Sequence, residues 1–192
     1  MRFEGLKDGT NVLIREPTMD DLEASLRFFQ ALPPEDRRYL RVDVTRSEVV
    51  EHRLRQAATG EVHRVVALVD DRIVGDGALE FSGEQWKRHR GEIRVIVDRD
   101  YRKKRLGALL IHDLFKAAVR HEVEKVVVKM AAPQTEARKV CERLGFHVDA
   151  VLDDYVKDSR GKLHPLIVMS CSLGEMYHEL KDFYRVDDWP DG

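Results

Sequence analysis

Apolar positions along the chain follow two rhythms, and their order predicts an alternating architecture. The segment NVLIREP, residues 11 to 17, reads as a strand that stops at Pro17. Thr18 can then cap a helix with Met19, Leu22, Leu26 and Phe29 along one stripe. Pro33 and Pro34 force a break, after which Thr45, Arg46, Ser47 and Glu48 fit a capping box. The helix so opened carries Val49, Val50, Leu54, Ala57 and Ala58 and ends at Gly60. Two β-rich runs in VHRVVALVDDRIVGDGALEF, separated by Asp70, Asp71 and Arg72, predict a hairpin, and GEIRVIV, residues 91 to 97, a third strand.

Beyond residue 97 the period changes. Leu106, Leu109, Leu110, Leu114, Ala117 and Ala118 recur at helical spacing, and VEKVVVKM, residues 123 to 130, is again β-branched, which together predict a strand, helix, strand unit of parallel sense. Pro133 opens a helix with Ala137, Val140, Cys141 and Leu144 on its apolar face and Gly145 at its end. HVDAVLDDYV and LHPLIVMSCSL form a late strand pair around Asp158, Ser159, Arg160 and Gly161. One domain is expected over residues 1–173, with 174–192 a closing helix and a frayed acidic tail.

Composition narrows the class. A chain of 192 residues with 43% hydrophobic and 35% charged residues suits a soluble globular domain with a real core. No apolar stretch approaches the roughly 20 residues of a spanning helix, and MRFEGLKDGT lacks the apolar centre of a signal peptide, so the expected compartment is the cytoplasm. Two cysteines without paired spacing, Cys141 and Cys171, give neither a disulfide framework nor a zinc site, and no metal is expected. The net charge is only -2, so an anion site must be local.

The local candidate is VDRDYRKKRLGALL, residues 97 to 110. A strand feeding a helix leaves the first helical amides unpaired, and the helix dipole places partial positive charge there. Gly107 lets backbone approach a diphosphate, and Arg102, Lys103, Lys104 and Arg105 add full charges, although a solvated basic turn would have the same composition. The second basic cluster, Lys87 to Arg90, lies about eight extended residues away, roughly 26 Å, too far to grip the same phosphate. Trp86 and Tyr101 are thin evidence for a nucleic-acid groove, and no nucleic-acid partner is expected.

In ordered context these segments resemble the GNAT superfamily of N-acetyltransferases over roughly residues 10 to 173. Val97 to Arg102 followed by Gly107 and Ala108 is similar to the family's V-x-P-x-Y-R and R/Q-x-x-G-x-G/A segments. ARKVCERLGF, residues 137 to 146, is similar to its A-x-x-x-Y-x-x-x-G-F turn, and DYVKDSRGKLHPLIVMSCSL to its closing hairpin. The resemblance implies an α/β (α+β) GNAT fold: a mixed, mostly antiparallel sheet, splayed fourth and fifth strands, and helices on both faces. It also implies acetyl-CoA as cosubstrate, with its diphosphate on Arg102, Lys103, Lys104, Arg105, Leu106, Gly107 and Ala108. Its pantetheine arm would lie along the backbone near Val95 and Val97, and Gln134 would be a further hydrogen-bonding candidate.

Two positions depart from the family pattern. Arg105 replaces its first glycine: a left-handed conformation there would be costly, whereas in an ordinary one the guanidinium could pair with phosphate, the reading preferred here. Cys141 replaces the tyrosine that protonates the leaving thiolate, and is either a packed core thiol or a poorer acid. Glu92 resembles the general base of protein-lysine acetyltransferases; desolvation would raise its pKa, while pairing with Arg94 on the same strand face would lower it. RFFQALPPEDRRYLR, residues 27 to 41, loosely resembles the opening of bacterial protein-lysine acetyltransferases. The expected activity is N-acetylation of a primary amine, on a protein lysine or a small molecule, by a chain without membrane partners and with a homodimer as one option. The rival is a non-catalytic acetyl-CoA sensor or interaction module.

Overall fold

The computed structural model describes residues 1–184, with side chains through His178; the acidic tail expected at 185–192 lies outside the described residues. Eight strands form one sheet: β1 (Arg2–Gly5), β2 (Asn11–Arg15), β3 (Val62–Val69), β4 (Arg72–Phe81), β5 (Arg90–Val97), β6 (Lys125–Ala131), β7 (His147–Lys157) and β8 (Leu163–Ser172). Their spatial order is β1-β2-β3-β4-β5-β6-β8-β7. Every neighbouring pair is antiparallel except β5 and β6. The helices are α1 (Leu22–Ala31), α2 (Pro34–Arg37), α3 (Ser47–Ala58), α4 (Leu106–Arg120), α5 (Thr135–Arg143) and α6 (Leu173–Tyr184).

The two faces of the sheet are covered differently. On one, Leu106, Leu109, Leu110 and Leu114 of α4 are each at most 2% exposed and pack with Val65, Leu79, Ile93 and Val126. Each fully buried leucine contributes about 1.5–3 kcal/mol. The helix sits close because β4 has no side chain at residue 75, where a Cβ would come within 2.9 Å of Leu110. On the other face α1 and α3 enclose Phe28, Phe29, Val50, Val66 and Ile73. The parallel β5–α4–β6 unit thus forms where the change of apolar period placed it.

One strand is added and three local expectations change. β1 has little apolar signal, since Phe3 is 74% exposed; the strand is held by pairing with β2 and by Arg2, which meets Asp113 at 3.2 Å and the Leu109 carbonyl at 3.4 Å on α4. Thr45 does not cap α3: the helix starts at Ser47 with Arg46 at its N-cap, the Thr45 hydroxyl donates to Asp43 at 2.6 Å, and Glu48 is taken by Arg46 at 2.9 Å. At Thr18 the backbone amide donates to Asp21 at 2.7 Å, but a 3-10 turn over Met19–Asp21 precedes α1 and leaves Met19 exposed. In α5 only Cys141 and Leu144 of the expected stripe are buried, while Ala137 and Val140 face out.

Candidate active site

The β5–β6 ladder is the feature that makes a site. Pairing runs through Arg90 with Lys125, Gly91 with Val126 and Glu92 with Val127, and then stops. Beyond that point β5 stays paired with β4 as far as Val97, and β6 stays paired with β8 as far as Ala131. Two strands that keep their outer neighbours but lose each other must diverge, and a wedge opens toward their C-terminal ends. The fourth and fifth strands expected to splay are β5 and β6 here, because β1 adds one to the count. Glu92 stands at the apex of the wedge.

At the open end β5 runs through a short 3-10 turn, Arg99–Tyr101, into α4. Lys103 and Arg105 both take left-handed backbone, with φ of 60° and 80°. This is the costly alternative at position 105, about 1–2 kcal/mol for a side-chain-bearing residue, and it overturns the preference for an ordinary conformation there. Residues in such conformations turn successive amides toward one point, a concavity suited to anions. The amides of Ala108 and Leu109 turn back to the Arg105 carbonyl at 3.1 Å, whereas those of Leu106 and Gly107 begin the helix with no carbonyl a turn behind them. A Cβ at residue 107 would meet only Val97 Cγ2 at 3.8 Å, ordinary contact, so packing within the protein does not require glycine there.

The basic side chains of the turn are not equivalent. Arg102 donates through Nε to the Val97 carbonyl at 3.1 Å and pairs with Asp36 of α2 at 2.8 Å. Arg99 pairs with Glu35 at 2.9 Å and with Asp36 at 3.6 Å, so α2 is tied to the turn by three ion pairs. Lys104 pairs with Asp8 at 2.8 Å, which holds the Asp8 carboxyl down at about 2. Lys103 is exposed. Gln134 accepts from the Ala131 amide at 2.9 Å through Oε1, closing the end of β6. Val95 and Val97 lie on the stretch of β5 beyond its last β6 pair.

Glu92 is surrounded by cations. Lys129, across the wedge, donates to Oε2 at 2.8 Å; Arg41, from the segment between α2 and α3, donates to Oε1; the Arg94 Nε lies 3.6 Å from Oε1. Burial raises the carboxyl's pKa, but the hydrogen bond from Lys129 and the charge of Arg41 outweigh it, and the net shift is downward. Of the two alternatives for this residue, the cation-paired one therefore sets its resting state, with Lys129 and Arg41 as the main partners. Lys129 carries no motif of its own, and Arg41 only closes the loosely matching segment 27–41. Only the fold brings residues 41, 92 and 129 together.

Cys141 lies in the apolar cluster with Val126, Val128, Leu144 and Phe146, and burial pushes its thiol up to about 12. Such a thiol stays protonated and unreactive at neutral pH. A cavity of about 280 Å³ lies at the opposite end of the sheet from the wedge mouth, among Glu16, His63, Arg64, Phe81, Arg120 and His121. Among the described residues no group of three or more His, Cys, Asp or Glu is placed to hold a metal ion, and no helix is long and apolar enough to cross a membrane.

A mixed sheet with one parallel pair that splays, followed by a basic turn opening a long helix, defines an acyltransferase architecture of the GNAT type. The model of the acetyltransferase (GNAT) family matches residues 21–146, and the chain belongs to that family. Solved structures share the fold. Ribosomal-protein-S5-alanine acetyltransferase from Vibrio fischeri superposes with a TM-score of 0.75 at 14% identity, covering 100% of this chain and 98% of its own. Mycobacterium smegmatis RimJ in complex with CoA-disulfide gives 0.73 at 17% identity, over 95% and 94% of the two chains. The putative acetyltransferase yncA from Salmonella typhimurium with its cofactor acetyl-CoA gives 0.69 at 20%, over 85% and 95%.

Proposed function

We propose that this acetyltransferase binds acetyl-CoA in the wedge between β5 and β6 and moves the acetyl group to a primary amine that approaches Glu92. The observation that carries this reading is the end of the β5–β6 ladder at Glu92, with the amide-lined basic turn at the other end of the same opening. The cosubstrate supplies an activated thioester. The chain's own groups do the rest. The amides of Leu106 and Gly107 and the left-handed turn at Lys103 and Arg105 receive the diphosphate, with Lys103 adding charge. The unpaired edge of β5 around Val95 and Val97 holds the amide-bearing arm, and the Gln134 amide nitrogen is a further donor.

A primary amine with a pKa of about 10.4, such as that of lysine, is almost wholly protonated at neutral pH and must lose a proton before it attacks. Glu92 takes that proton, directly or through one water. In direct attack the nitrogen–carbon bond forms as the carbon–sulfur bond breaks; a second proton leaves the nitrogen and ends on the departing thiolate. Held low by Lys129 and Arg41, Glu92 is a weak base at rest, so an incoming ammonium must displace at least one of these cations for the carboxylate to work. Burial of Cys141 in the apolar cluster supports a packing role for it over that of the acid. A cytoplasmic site of action fits these substrates.

The cation-paired state of Glu92 also favours one other reading, an acetyl-CoA sensor without turnover. Incubation with acetyl-CoA and a mixed amine panel, followed as free thiol, separates the two. Glu92→Gln is expected to lower turnover at least tenfold with coenzyme affinity unchanged by calorimetry. Binding without thiol release on any amine would establish the sensor, and an unchanged rate in the variant would remove Glu92 from the chemistry.

A further inference from the structure

The sheet face around Glu92 carries more positive than negative charge, and the surplus is built in. Arg64 on β3, 3% exposed, and Arg53 on α3 both pair with Asp76, at 2.7 and 2.8 Å. One row further, Arg94 pairs with Glu80 at 2.7 Å and leans on Glu92, which already holds Arg41 and Lys129. Five cations, Arg41, Arg53, Arg64, Arg94 and Lys129, thus share three carboxylates, Asp76, Glu80 and Glu92. The Nε donors of Arg64 and Arg94 are buried with no hydrogen-bond acceptor among the described residues. Donors of that kind ordinarily find a partner.

An ammonium entering this site alone would add a sixth positive charge where charge is poorly screened. A zwitterion would not. Its ammonium replaces a cation on Glu92, and its carboxylate receives the cation displaced. Arg41 and Lys129 suit that exchange: each side chain is 38% exposed, so each has room to swing, while Arg94 offers a fixed donor beside them.

We infer that the acceptor is a small zwitterion, an amine with a carboxylate a few bonds away, as in a free amino acid, recognised by Glu92 through its nitrogen and by Arg41, Lys129 and Arg94 through its carboxylate. The inference rests on the proposed acetyl transfer and names its acceptor. A protein lysine, whose ε-amine has no carboxylate within that reach, fits the charge balance less well.

The test compares free amino acids with their carboxamides, their decarboxylated amines and a lysine peptide blocked at both ends. With acetyl-CoA, kcat/KM is expected to be at least tenfold higher for the carboxylate-bearing member of each set. In Arg41→Gln/Lys129→Gln that preference should fall below threefold. Calorimetric binding of the N-acetylated products needs no turnover and no variant, and the N-acetyl amino acid should bind at least tenfold more tightly than its amide. Transfer at equal efficiency with and without the carboxylate, or equal binding of the two products, would overturn the inference and leave acetyl transfer standing. Selective binding of the carboxylate-bearing ligands with no transfer to any amine would defeat the activity and keep the charge-matched site.

Discussion

The two faces of one sheet differ in kind. Against α4 the central contacts are leucine on valine in one apolar cluster. Against α1 and α3 the same strands present Arg64, Asp76, Glu80, Glu92 and Arg94 beside Phe28, Phe29 and Ile73. Because successive residues of a strand point to opposite sides, β4 and β5 carry both patterns at once: Leu79 and Ile93 toward α4, Glu80 and Glu92 away from it. Apolar burial stabilises without direction, so it suits the face that only has to hold. Ion pairs fix geometry at a cost in desolvation, so they suit the face proposed to recognise a charged reactant.

Substitutions can break this contrast. The largest loss is expected at Asp76, where alanine would leave Arg53 and Arg64 buried without their carboxylate: about 3–5 kcal/mol by urea unfolding, with Asp76→Asn costing less. On the opposite face Leu110→Ala should cost about 3 kcal/mol, from lost burial and a cavity under α4. A loss at Asp76 below that of an ordinary surface carboxylate would mean that water reaches the pair and that the face is not built as described.

Smaller effects sharpen the comparison. Gly107→Ala should move stability and binding in opposite directions. Alanine favours the first turn of α4 by about 0.5–1 kcal/mol, while a methyl in the open space at residue 107 should weaken coenzyme binding about tenfold, or 1.4 kcal/mol. Unchanged affinity by calorimetry would move the diphosphate away from this turn. Smallest is the acid limb of stability. The Glu92 carboxyl is lowered in the folded state, so its contribution is present above the ordinary glutamate range and is lost as pH falls through the folded value. After solvent screening this amounts to less than about 1 kcal/mol, visible as a shallower fall of stability below pH 5 in Glu92→Gln.

The period of apolar residues was enough to place β3, β4, β5, α4 and β6 in order, since buried faces impose spacings of two and 3.6 whatever they pack against. The positions of Glu92 on β5 and of residues 102–108 at the start of α4 were legible for a related reason: each depends on residue types at fixed local offsets, and their proposed roles rest on that placement. β1 was not, because it carries little apolar signal and its contacts beyond the β2 ladder come from Arg2 reaching α4, more than a hundred residues away in sequence. The failed capping box at Thr45 shows the same limit on a small scale. Asp43, two residues earlier, holds the amide and hydroxyl of Thr45 in a local turn, and the helix starts beyond it with Arg46 at its cap.

The sequence by itself determined the order of elements from β3 to β6, the turn before α4 and the carboxylate on β5, because each depends on residues close together in the chain. Only the tertiary structure decided that the β5–β6 ladder ends at Glu92, that Arg41 and Lys129 converge on that carboxylate, and that Arg105 takes a left-handed backbone. Where strands part and which charges meet are set by pairing and packing across the sheet, and the protonation of Glu92 follows from the charges so assembled.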